Sequence, residues 1–151
     1  MIDPYYPDSA IFYDTEVFSV VSQGQYWLSE TPERPSMGWT LSLPRLVAWA
    51  VFKHIEDGTE FYFSSTHFDN NGPNKVLCCI VILCVLICTF FKIPSATLHL
   101  ERGGAMAAQG LPVIAVGDYN SDFTSDSYAL LTTGVDDSFV YAPFFRAFRT
   151  R

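Results

Sequence analysis

Two short polar stretches hold the side chains best suited to chemistry: Thr66-His67-Phe68-Asp69-Asn70 and Gly117-Asp118-Tyr119-Asn120-Ser121. One offers an imidazole, the other a carboxylate with a carboxamide two positions on. Side chains of these types can take, give or hold a proton at a reacting centre. Singly, each has an ordinary reading. Gly-Asp-x-Asn is turn composition, because Asp and Asn bond their own backbone. A lone histidine after a strand is more often packed or solvated than catalytic. Yet each stretch follows an apolar, strand-like run, EFYFSS before one and LPVIAV before the other. Chemistry between them requires the two strand ends to meet within a few ångströms.

The elements that must position them follow from periodicity and breakers. Residues 10–28 alternate as two strands, broken at Asp14-Thr15 and Gln23-Gly24. Residues 29–44, SETPERPSMGWTLSLP, read as a long ordered loop. Arg45 to Ile55 reads as a strand, Asp57-Gly58 as a hairpin turn, and Glu60 to Ser65 as the return strand. A weak helix is expected from Ser95 to Gln109, with Ser95 as N-cap, Gly110 past its end, and Gly103 and Gly104 inside. Leu111 to Val116 is a strand of the buried, all-apolar kind. Thr124 or Ser125 caps a last short helix, Asp126 to Leu131. Strands, a helix, a strand and a helix suggest a layered α+β sandwich. His54 and His99 are read as surface or packing residues, and the aromatics as core.

With those elements in place, the motifs resemble the endonuclease/exonuclease/phosphatase superfamily, the group related to pancreatic-type deoxyribonuclease. YWLSETPERPSMGW…LPR, from Tyr26 to Arg45, is similar to the F-W-L-S-x-T-P…W…R pattern of one little-described branch. The likeness covers residues 11–139, a partial domain interrupted by an apolar insertion at 76–93. It leaves 1–10 as a non-family lead and 140–151 as an aromatic and basic tail. The resemblance implies an α+β fold, a partial four-layer α/β/β/α sandwich incomplete at both ends. It also implies Mg²⁺- or Mn²⁺-dependent hydrolysis of a phosphodiester or phosphomonoester. On that pattern Asp118 orients and helps deprotonate the water and is a metal ligand, Asn120 bonds the phosphate and positions Asp118, and His67 donates to a phosphoryl oxygen. Asp69 and Arg45 would contact substrate.

The sequence also departs from the family pattern. The upstream strand with its metal-binding glutamate has no counterpart before Ile11, and Glu30 and Glu33 lie in the wrong context. The closing Ser-Asp-His motif is missing, since no histidine follows His99. Activity is therefore expected to be impaired or absent, and a non-catalytic remnant or mis-spliced product is the alternative. His67 and Asp118 stand 51 positions apart, and removing Val76 to Ile93 leaves 33, a normal family spacing. The inserted residues are types encoded by uridine-rich codons, as a translated pyrimidine-rich intron would give.

Composition narrows the partners. The net charge of −7 argues against a sheath for duplex nucleic acid, which needs a positive face. Small phosphate esters are favoured over long nucleic acids. An apolar fraction of 49% excludes global disorder. All four cysteines lie between Cys78 and Cys88, without Cys-x-x-Cys spacing, so neither a disulfide framework nor a zinc site is indicated. The run Val76–Phe91 would reach about 24 Å as a helix, against a hydrocarbon core of roughly 30 Å. A single-pass membrane protein through 75–92 is a further alternative to a cytoplasmic enzyme. Such a span would put His67 and Asp118 on opposite sides of a bilayer.

Overall fold

A computed structural model describes residues 9–39, 43–69, 81–121 and 124–133. Most of the lead, the start of the apolar insertion at 76–80 and the tail at 140–151 lie outside the described residues. The element order is β1 (Phe18–Trp27), β2 (Leu46–His54), β3 (Glu60–His67), α1 (Val81–Ala107), β4 (Val113–Asp118) and α2 (Asp126–Leu131). The strands form one sheet in sequence order, antiparallel from β1 to β3. The chain then crosses through α1, so β4 lies parallel to β3.

The β2–β3 hairpin turns at Gly58, whose φ of 75° suits a residue without a Cβ. The Asp57 carboxylate accepts from the Thr59 amide and pairs with Nδ1 of His54 at 2.9 Å. These contacts, the Thr59 amide first, hold its pKa down to about 2. Where two strands were expected in 10–28, β1 is a single strand that begins only after a turn on the Asp14 carbonyl. Gly24 does not break it. A Cβ there would fall 2.9 Å from the Trp49 ring across the ladder, so glycine is what the indole requires.

Helix α1 also departs from expectation. It starts at Val81 rather than at Ser95 and continues through Pro94. Ser95 is therefore a buried helical residue, not a cap. Ala96, His99 and Gly103 recur at helical spacing on the side facing the sheet. Ala96 and His99 are buried, and a Cβ on Gly103 would sit 3.5 Å from Val113. Small residues on this stripe let the helix approach closely. Among the described residues no helix is long and apolar enough to cross a membrane.

The core lies between α1 and one sheet face: Tyr26, Leu28, Val47, Phe68 and Ala96, flanked by Trp49, Leu130 and Leu131. Burying a ring such as Phe68 contributes about 2–3 kcal/mol. On the opposite face Phe52 is ringed by Tyr13, Phe18, Phe61 and Phe63. β4 is exposed along its whole length, contrary to the buried strand expected from its composition. It is an edge strand, and no further layer covers it among the described residues. Among the described residues one helical layer packs on one mixed sheet, two layers of the four that the family resemblance implies. Helix α2 spans Asp126–Leu131 as expected, and the Ser125 hydroxyl caps it by accepting from the Tyr128 amide.

Candidate active site

Parallel pairing carries both motifs to the same sheet edge. β3 ends at His67 and β4 at Asp118, and these two residues are register partners. The close approach depends on Gly117, whose φ is 154°. A Cβ at that position would lie 2.1 Å from the Thr66 carbonyl oxygen. One residue further, the Phe68 amide donates to the Asp118 carbonyl at 2.8 Å, extending the ladder into the loops.

Nε2 of His67 stands 3.9 Å from Oδ2 of Asp118, with side chains 35% and 68% exposed. Oδ1 of Asp118 accepts from the Asn120 amide at 2.9 Å, which turns the carboxylate so that Oδ2 faces the imidazole. Asn120 adopts φ 47°, a conformation Asn tolerates better than most residues. Its side-chain amide donates to the Phe68 carbonyl at 2.7 Å, joining the two loops. Asn120 thus positions Asp118 through its backbone while its carboxamide braces the neighbouring loop.

Arg45 and Asp69 lie beneath this edge, with side chains only 6% and 3% exposed and 3.7 Å between Nη2 and Oδ1. Nη1 of Arg45 also reaches Nδ1 of His67 at 3.1 Å. All five expected site residues therefore gather at one place. Two of them, Arg45 and Asp69, support it from below rather than at its surface.

Sequence reasoning gave His99 no more than a surface or packing role. It is a buried bridge: Nδ1 bonds the Tyr26 hydroxyl at 2.9 Å, and Nε2 meets the Tyr119 hydroxyl at 3.4 Å. Tyr119 sits between Asp118 and Asn120, and its ring meets Phe68 edge-on at 5.1 Å. Burial lowers the His99 pKa to about 4, so at neutral pH it offers one donor and one acceptor. Burial also pushes both tyrosine hydroxyls well above the usual phenol range. The usable sequence signal was the spacing of His99 with Ala96 and Gly103.

Hard cations such as Mg²⁺ take oxygen ligands and keep several waters. Asp118 is a suitable donor. Among the described residues, however, no three carboxylate, imidazole or thiolate groups converge.

No protein-family model matches the sequence, and no curated protein does. Solved structures do match. A mannosyl-6-phosphatase of Bacteroides thetaiotaomicron is 34% identical with a TM-score of 0.65, over 80% of this chain and 40% of that one. An endonuclease/exonuclease/phosphatase protein of Bacteroides vulgatus is 27% identical with a TM-score of 0.65, over the same shares. The human Nocturnin catalytic domain shares the fold at 16% identity and a TM-score of 0.51, over 76% of this chain and 35% of that one. The chain thus spans about 40% of the length of the first two.

Proposed function

The chain belongs to the endonuclease/exonuclease/phosphatase superfamily, with its deoxyribonuclease I-like fold, and on that premise we propose that the His67–Asp118 edge serves hydrolysis of small phosphate esters. The observation that carries this reading is the register pairing of His67 with Asp118 at the ends of parallel strands. In this reading Asp118 uses Oδ2, the oxygen on the side of the imidazole, to orient a water and accept its proton. His67 donates to a phosphoryl oxygen as charge grows there. Asn120 holds Asp118 and the Phe68 loop at fixed spacing, and Arg45 and Asp69 keep the imidazole in place. When bound, Mg²⁺ or Mn²⁺ would supply charge neutralisation at the phosphate, with Asp118 as one ligand.

Two features favour a small ester over a nucleic acid. The chain carries a net charge of −7, which repels a polyanion. One structural neighbour is a mannosyl-6-phosphatase. The test is phosphate release from hexose 6-phosphates, beside cleavage of a DNA oligonucleotide, with Mg²⁺, with Mn²⁺ and with chelator. Metal-dependent release from a sugar phosphate, with the oligonucleotide intact, is the expected result. A folded chain that turns over neither overturns the proposal. That outcome would favour the second reading, a non-catalytic portion of the domain, which the incomplete cation-binding set among the described residues supports.

A further inference from the structure

We propose that Arg45 is a positioning residue that fixes which ring nitrogen of His67 carries the proton. The use of that proton toward a phosphoryl oxygen rests on the hydrolase reading above. A guanidinium has several N–H donors and no acceptor. Its Nη1 lies 3.1 Å from Nδ1 of His67, and a hydrogen bond there needs the Nδ1 lone pair. The proton of the neutral ring is then on Nε2. That nitrogen faces Oδ2 of Asp118 at 3.9 Å.

The same geometry explains why the guanidinium stays in place. Nη2 is paired with Asp69 where both side chains are almost closed to solvent. The Arg45 backbone is pinned as well, since its carbonyl accepts from the Leu28 amide at 2.8 Å. From Asp69 through Arg45 and His67 to Asp118, side-chain exposure runs 3%, 6%, 35% and 68%. A buried ion pair thus sets the chemistry of a half-buried imidazole.

The consequence is a division of labour. An imidazole with Nδ1 protonated would turn a lone pair toward the Asp118 carboxylate and toward any phosphoryl oxygen beside it. With Nε2 protonated, the ring is a ready donor at the place where negative charge develops. His67 is then the donor and not the base, which leaves Asp118 as the group that takes the proton from water. Arg45 is too deeply buried to be the principal phosphate contact.

The experiment is a long-range proton–nitrogen correlation on the full chain labelled with ¹⁵N-histidine. It is recorded at about pH 9, above the ordinary histidine range, with His67→Gln identifying the signal. The expected wild-type pattern is an unprotonated-type Nδ1 and a protonated-type Nε2. Arg45→Met should move both shifts toward the average of an interconverting ring. In hydrolysis Arg45→Met should lower kcat about 100-fold and leave KM nearly unchanged. A wild-type ring protonated on Nδ1 overturns the proposal, as do ring shifts unmoved by Arg45→Met. A variant with raised KM and intact kcat would instead make Arg45 a phosphate ligand. Should Arg45→Met fail to fold, the wild-type ring alone still decides. The ring measurement needs no turnover, so failure of this proposal is distinguishable from failure of the hydrolase reading.

Discussion

His99 shows how a single side chain can tie the fold to the site. It joins Tyr26 of β1 to Tyr119 of the Gly-Asp-Tyr-Asn loop. Its pKa falls from 6.5 to about 4 because burial penalises the charged ring. The unfolded chain therefore binds more protons than the folded chain between these values, and stability rises with pH through that window. The contribution is complete above pH 6.5 and is lost as pH falls toward 4, amounting to about 3 kcal/mol. Urea unfolding at pH 7 and at pH 4 should show this extra acid loss in the wild type. It should be missing in His99→Gln, whose side chain does not titrate. Equal losses in the two proteins would contradict the buried neutral bridge.

At the scale of the element, what could be read from the chain depended on whether local chemistry decided the outcome. Helix α2 was legible because Ser125 supplies its own cap, and the hairpin because Asp57-Gly58 fits its turn. Gly24 and Pro94 misled for the opposite reason. Gly24 is set by the Trp49 ring from the next strand, and Pro94 stands inside a helix that begins thirteen residues earlier. The site motifs were legible as two strand ends, but the Arg45–Asp69 pair beneath them depends on a contact across the sheet end that spacing does not encode. Gly117 is the position where an element and the site share one requirement. Gly117→Ala forces a Cβ against the Thr66 carbonyl at a φ that L-residues rarely adopt. It should destabilise the chain by about 3 kcal/mol or more, read by urea unfolding. A variant as stable as wild type would contradict the close β3–β4 junction.

At the scale of the whole molecule, α1 covers one sheet face and, among the described residues, the edge strand β4 is left open. Val113, Ile114 and Val116 are 37–45% exposed along β4. An exposed apolar edge strand invites association. The burial of β4 was misjudged from its composition because the same run suits a covered strand and an open one. Sedimentation of the chain should show concentration-dependent self-association that Val116→Lys reduces. A monomer at every concentration would contradict an adhesive edge. His67 and Asp118 are ladder neighbours, an arrangement at odds with a single bilayer span between the two motifs.

Both side chains must act on one phosphoryl group, and residues acting as a unit lose rate non-additively. A double-mutant cycle on sugar-phosphate hydrolysis with His67→Gln and Asp118→Asn addresses this directly. Each single substitution should lower kcat by about 100-fold or more, and the double variant should be little slower than the worse single one. Losses that multiply in full, or hydrolysis indifferent to either substitution, would contradict a shared site at this sheet edge.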